Sequence, residues 1–178
     1  MSTPSTYGDN MNVFYLSIDT TECVKQYSDQ HVVKMLLETA QLLCTVHRVL
    51  NTGNEDVPYK ATHMNHPCSV WARDTLGNYL WLVELGKSLA WEYKYRFNRG
   101  HKSAEVIRWC ELNTPESLSG AFYDPPQVMA PELQKKFATE GYKALYVNKY
   151  ITGMQNKRTR MRFTQRDVPN FILKAISC

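Results

Sequence analysis

Apolar residues recur with helical spacing along residues 28–50, but one narrow side of that predicted helix is polar. The segment reads SDQHVVKMLLETAQLLCTVHRVL, with Ser28 as the expected N-cap. Apolar side chains fill most of the helical wheel, which is typical of a helix in the middle of a fold. The remaining side, here called the polar stripe, carries six residues: His31, Lys34, Glu38, Gln41, Thr45 and Arg48.

A second apolar pattern over residues 66–100 predicts another central helix. Pro67 suits its first turn, Gly77 is expected to kink it, and Gly100 is expected to end it. Shorter helices are predicted near 20–27, 103–111, 131–137, 139–151 and 168–176, after a strand or extended lead-in at 12–19. We therefore expect an all-α fold, a compact single-domain helical bundle over residues 11–178 with two long central helices, behind a flexible leader at 1–10.

Composition fits an ordinary globular protein, with 43% apolar and 21% charged residues. No apolar run reaches the length of about 18 residues that a membrane span needs, so no membrane partner is expected. The five cysteines are odd in number and widely spaced, and they form no CxxC pair. This pattern argues against a disulfide framework and favours a reducing cytoplasm.

The charge distribution is more informative than the net charge of +4. From Gln134 to the C-terminus the sequence contains ten Lys or Arg residues but only two acidic residues, Glu140 and Asp167. A block of this kind favours an anionic partner such as a nucleic acid.

The polar stripe itself has two interpretations. It is either a solvated face, where Lys34 and Glu38 form an ordinary i,i+4 ion pair, or one wall of a cleft. In a cleft, apolar neighbours would raise the pKa of Glu38 and suit it to hold or move a proton. His31, two turns earlier, would bind a phosphate or a base edge, with Lys34 and Gln41 beside it.

Two basic segments extend the candidate phosphate-binding set. The stretch EYKYRFNRGHKS combines aromatic rings with cations, and its candidates are Tyr93, Tyr95, Arg96, His101, Lys102 and Ser103. The stretch NKRTRMRF would present Arg158, Arg160 and Arg162 on one side if it is extended. The alternatives are cations that merely favour a helix C-terminus and a solvated loop.

The stretch HMNHPC brings His63, His66 and Cys68 together, but no second pair follows at zinc-finger spacing. We therefore expect no metal site here and instead an Asn or His that caps the second long helix. The sequence also has no Gly-rich phosphate loop or dinucleotide fingerprint, so no cofactor is expected.

Three stretches, DQHVVKMLLETAQLL, NHPCSVWARDTLGNYLWL and EYKYRFNRGHKS, resemble a family of mostly uncharacterised proteins from tailed phages and some bacteria. More distantly, the chain resembles the phage pyrimidine-dimer DNA glycosylases of the endonuclease V type. The first helix of those enzymes opens with Asp-Gln-His and has its catalytic Glu seven residues after the His. In this chain DQH is 29–31, and Glu38 lies at the same offset.

This resemblance implies an all-helical enzyme of base excision coupled to strand cleavage at abasic sites. In that family the nucleophile is the α-amine of the residue after the initiator Met, at the head of the extended lead-in. Here the lead-in MNVFYL begins at Met11, behind ten further residues, and the family's helix arginines are replaced by Leu37 and Gln41.

We therefore expect a DNA-directed protein of the base-excision or base-modification type, with Glu38 as acid/base or electrostatic stabiliser and His31 beside it. DNA or a nucleotide would be its partner, in the cytoplasm of the host if a phage encodes it. The alternatives are a non-catalytic DNA-binding accessory protein and an enzyme that acts on a free nucleotide. The sequence leaves the oligomeric state open.

Overall fold

The computed structural model describes residues 12–156 and 159–177, and these form seven α-helices, one 3-10 turn and no strand. The predicted all-α fold is confirmed. The helices are α1 (Thr20–Lys25), α2 (Asp29–Leu50), α3 (Pro67–Ala72), α4 (Leu76–Phe97), α5 (Ser103–Leu112), α6 (Ala138–Met154) and α7 (Asn170–Ile176), with the 3-10 turn at Pro131–Leu133. The expected leader at 1–10 lies outside the described residues.

Helices α2 and α4 form the centre of the fold, as predicted, and each has 22 residues. They run antiparallel, because Asp29 at the start of α2 pairs with Arg96 near the end of α4, while His47 near the end of α2 contacts Tyr79 near the start of α4. Each is about 33 Å long at 1.5 Å per residue. Helix α5 packs against both of them.

The prediction of one continuous helix over 66–100 is wrong, because the chain breaks between Ala72 and Leu76. The hydroxyl of Thr75 accepts a hydrogen bond from the Asn78 amide at 3.1 Å and so caps a new helix. Gly77 does not kink α4. Instead, a Cβ there would lie 2.1 Å from the backbone nitrogen of Phe122, so glycine permits a close approach of that loop.

Several predicted boundaries move by a few residues. Helix α4 ends at Phe97, before Gly100, because Asn98 adopts the left-handed conformation and closes the helix. Helix α7 begins at Asn170 instead of 168, since Pro169 occupies the position before it.

The segment over residues 12–16 is an extended lead-in and not a strand, since it pairs with no other strand among the described residues. All five of its side chains are buried. Tyr27 donates its hydroxyl proton to the Phe14 carbonyl at 2.6 Å, and the side-chain amide of Asn12 donates to the Val128 carbonyl at 3.0 Å. The lead-in therefore forms part of the core between the helices.

Within the described residues, no helix combines the length and the apolarity that crossing a bilayer requires.

Candidate functional site

The C-terminal half of the polar stripe holds a loop in place. The Thr45 hydroxyl accepts a hydrogen bond from the Thr62 amide at 3.1 Å and donates to the Gln41 carbonyl at 2.7 Å. The Arg48 guanidinium donates to the carbonyls of Val57 and Tyr59. The loop after α2 therefore packs on this end of the stripe, where Thr45 is buried and Arg48 stays exposed.

Glu38 is the one acidic residue of the polar stripe, and it is mostly buried. Its side chain is only 13% exposed, and the Lys34 ammonium lies 3.6 Å from its Oε1. Burial raises the pKa of Glu38, while Lys34, a hydrogen bond from the Asn12 backbone and the charge of His63 lower it. Its Oε2 is buried and has no hydrogen-bond partner among the described residues. An unsatisfied buried carboxylate oxygen is costly, so it suggests a site that a substrate or water completes.

His31 lies against the lead-in and helix α6. Its imidazole stacks on Phe14 with ring centroids 4.3 Å apart, and its Nδ1 is 2.5 Å from the Tyr146 hydroxyl. That hydroxyl oxygen accepts the Ser28 amide proton, so its own proton is available for Nδ1.

Burial lowers the pKa of His31 to about 3, helped by the cations Lys149 and Lys34. The imidazole is therefore neutral at pH 7 and brings no positive charge to a phosphate, while the expected contact with a base edge stays a prediction. His31 positions the lead-in, and thus the backbone that contacts Glu38.

Arg96 is a structural residue and does not face a ligand. Its side chain is fully buried, and its five N–H groups match five acceptors, which are the carboxylates of Glu92 and Asp29 and the carbonyls of Val24, Lys25 and Tyr27. The expectation that Arg96 binds phosphate is corrected, because no guanidinium proton remains for it. Instead, Arg96 joins the end of α1 to α4.

Two residues of the turn after α4, His101 and Ser103, form hydrogen bonds within the protein. The His101 Nδ1 accepts the Ser103 amide proton at 3.1 Å, and the Ser103 hydroxyl is 3.1 Å from the Tyr59 hydroxyl. Tyr93 is buried beneath the Arg99 guanidinium, which lies 5.8 Å from its ring centroid. Of the predicted contacts in this turn, Tyr95 and Lys102 remain exposed.

Residues 159–166, here called the basic strip, cross the N-terminus of α2. The Asp29 amide donates to the Arg162 carbonyl at 2.7 Å, and the Gln30 side chain donates to the Arg160 carbonyl at 3.1 Å. Arg160 and Arg162 are exposed on either side of the buried Met161, the alternation expected of an extended segment. The third predicted arginine, Arg158, lies outside the described residues.

Sequence reasoning missed Arg166, at the end of the basic strip. Its Nε and Nη2 both donate to the Glu92 carboxylate at 2.9 Å, and its guanidinium carbon lies 4.3 Å from the Tyr95 ring centroid. No local sequence signal indicates this, because Glu92 and Arg166 are 74 residues apart.

The structure divides the predicted site into two groups. Glu38 follows Asp29 by nine residues, which is about 13 Å along α2 and about 180° around it. Glu38 and His31 face the lead-in, and His31 also contacts α6. Arg96 of α4 and Thr164 of the basic strip meet at Asp29 on the other side of α2, and Gln30, which contacts the Arg160 carbonyl, lies between the two groups. Gln41 stays half-buried near Glu38, with its carbonyl bonded to Thr45.

The HMNHPC stretch has a structural role. The His66 Nδ1 accepts the Cys68 amide proton at 3.2 Å and caps α3, so the predicted His cap is confirmed. Burial raises the pKa of the Cys68 thiol to about 12, which makes it a poor nucleophile. No group of three or more His, Cys, Asp or Glu residues in the described part of the chain could hold a metal ion.

Comparisons of this chain with protein-family models, with curated proteins and with solved structures find no match.

Proposed function

We propose that this protein acts on DNA by base excision, with Glu38 as the acid/base or electrostatic stabiliser. One observation carries the proposal: a mostly buried carboxylate of raised pKa, with one oxygen lacking a partner among the described residues, adjoins the backbone at the head of the lead-in. Burial raises the pKa of this carboxyl, which makes its ionised form a stronger proton acceptor, and that ionised form can also stabilise a positively charged sugar. The offset of Glu38 from DQH, shared with the pyrimidine-dimer glycosylases, points the same way.

The position of Asn12 favours hydrolysis over imine chemistry. In the glycosylases that the sequence resembles, a free amine at the head of the lead-in attacks the sugar. Here the nitrogen at that position belongs to a peptide bond, because Met11 precedes Asn12. An amide nitrogen is not nucleophilic, since its lone pair is delocalised into the carbonyl. We therefore propose that Glu38 activates a water molecule that takes the place of the amine.

A second candidate is a DNA-binding accessory protein without catalysis. It is favoured by the use of His31 and Arg96 within the fold, while Arg160 and Arg162 remain exposed. Phosphate contacts of this kind give affinity without chemistry. Either function fits the cytoplasmic location that we propose.

A screen of damaged and modified duplexes for base release tests the proposal. We expect Glu38→Gln to abolish base release while it leaves duplex affinity within about twofold, because the amide keeps the shape but not the charge. Glu105→Gln, on the exposed face of α5, is the matched control and should retain activity.

Borohydride should trap no covalent adduct during base release, since the proposed nucleophile is water. A trapped adduct would show that an amine, and not water, attacks the sugar. Equal losses of affinity and of activity in Glu38→Gln, or no base release from any duplex, would favour the accessory protein.

A further inference from the structure

Two aromatic side chains on α4 form an exposed parallel stack. Trp91 is 58% exposed and Tyr95 is 44% exposed. Their ring centroids are 5.4 Å apart, and their planes differ by only 6°. The Arg166 guanidinium packs on Tyr95 at 4.3 Å from its ring centroid. The three side chains, here called the aromatic platform, form one stack in which Tyr95 contacts both Trp91 and Arg166, and Trp91 is the most exposed ring.

Trp91 differs from the other three tryptophans in the hydrogen bonding of its indole N–H. The other three tryptophans each donate their indole N–H to an acceptor within the protein: Trp71 to the Tyr123 carbonyl, Trp81 to the Ile18 carbonyl and Trp109 to Asp56. Trp91 differs, because no acceptor for its indole N–H exists among the described residues. Exposed Trp, Tyr and Arg side chains in one cluster are the residues that most often dominate binding.

The charges around the aromatic platform favour an anionic occupant. Glu92 and Asp29 are balanced by Arg96 and Arg166, with which they form ion pairs. Arg160 and Arg162 form no ion pair with any described acidic residue and point outward from the basic strip. The basic strip leads directly to the aromatic platform, since Arg166 belongs to both.

An aromatic surface continuous with exposed cations matches one ligand chemistry well. Every nucleobase has a π face that can stack on an aromatic ring, and a strand adds a phosphate at each nucleotide. In a duplex the base faces are already stacked on each other, so an unpaired base is the better partner. A purely apolar protein partner would gain nothing from the uncompensated arginines.

We propose that the aromatic platform binds an unpaired base of single-stranded DNA, while the basic strip binds the adjoining phosphates. This activity goes beyond the reaction proposed for Glu38, because it uses side chains of α4 and the segment that crosses the N-terminus of α2, and it requires no bond to be broken. The base stacks on the exposed indole of Trp91, Tyr95 supports that indole from within the stack, and Arg166 holds the Tyr95 ring in place through its two hydrogen bonds to Glu92.

Titration of a fluorescently labelled oligothymidylate of about 15 nucleotides, followed by anisotropy, tests this proposal. We expect Trp91→Leu to weaken binding about tenfold, whereas Trp91→Phe, which keeps an aromatic face, should lose less than about threefold. Tyr123→Ala is the matched control, since Tyr123 is an exposed aromatic residue beside the opposite end of α4 and should bind normally.

An oligomer of abasic nucleotides separates stacking from charge. It has phosphates but no bases, so it should bind the natural chain and Trp91→Leu equally. Affinity of Trp91→Leu for oligothymidylate within about twofold of the natural chain would overturn the proposal, as would equal losses in the leucine and phenylalanine variants.

The outcome is independent of the reaction at Glu38. The anisotropy titration measures binding and needs no bond to be broken, so a failed search for base release leaves the aromatic platform standing. Likewise, loss of the platform proposal leaves the Glu38 proposal intact. Circular dichroism of each variant confirms that the fold is retained.

Discussion

Replacing Arg96 with methionine should lower the free energy of unfolding strongly, because the guanidinium serves the fold and is fully buried. The methionine keeps much of the side-chain volume but removes all five hydrogen bonds of the guanidinium. Three backbone carbonyls at the end of α1 lose a donor, and Asp29 keeps only its bonds to Thr164. Glu92 is partly protected, because Arg166 still donates two hydrogen bonds to it.

The magnitude follows from these contacts. Breaking a buried ion pair by removing one partner costs about 3–5 kcal/mol, since the other charge stays desolvated. Each buried acceptor that is left without a donor adds about 1–3 kcal/mol, unless water reaches it. Glu92 stays paired with Arg166 and Asp29 keeps its bonds to Thr164, so the ion-pair cost falls below that range. Together with the freed carbonyls, we expect the free energy of unfolding to fall by about 3–5 kcal/mol in total. Arg96→Lys should recover only part of this loss, because an ammonium has three donors and no planar fork.

Urea unfolding followed by far-ultraviolet circular dichroism measures the change. The midpoint should fall while the slope stays constant, which marks a change in stability alone. Arg99→Met is the control, since Arg99 is exposed and contacts Tyr93 only through its ring face, so it should cost less than about 1 kcal/mol. A loss below about 1 kcal/mol for Arg96→Met, together with a large loss of DNA affinity, would refute the structural role of Arg96.

Two further predictions test the interior of the fold. Burial lowers the pKa of His31 to about 3 and that of His47 to about 4, so the unfolded chain binds more protons than the folded one below pH about 6.5. The free energy of unfolding should therefore fall as the pH drops from about 6.5 towards 4, by up to about 1.4 kcal/mol per pH unit for each group. Urea unfolding at several pH values should show a shallower pH dependence of this free energy in the double variant His31→Asn, His47→Asn. An unchanged pH dependence would contradict the assignment. Gly77→Ala should destabilise the protein by about 2–3 kcal/mol, because its Cβ would clash with the Phe122 backbone. Gly100→Ala is the control and should change the melting temperature little, since nothing lies within 4 Å of a Cβ there. Equal effects of the two variants would show that the loop around Phe122 moves to accommodate the new methyl group.

At the candidate site, the sequence pattern predicted which residues share a face of α2 but not how their surroundings change their charge. The seven-residue offset from His31 to Glu38 predicted that both lie on one face of α2, and both contact the lead-in or its neighbours. The pattern did not reveal that His31 would be neutral, because its pKa depends on Phe14, Tyr146 and the surrounding burial. The same holds for Arg166, whose partner Glu92 is remote in the chain.

The sequence by itself determined the all-α class and the two long central helices, because periodic apolar positions and caps act over a few residues. It also indicated the basic C-terminal quarter and an Asn or His cap, which is His66, whereas the role of Glu38 stays a prediction. The start of α4 combines the local Thr75 cap with tertiary contacts that no local pattern shows, since the Leu76 and Gly77 amides donate to the Ser119 and Gly120 carbonyls. Only the tertiary structure decided which cations serve the fold and which face outward. Burial and pairing are properties of residues that meet from distant parts of the chain, so no local pattern specifies them.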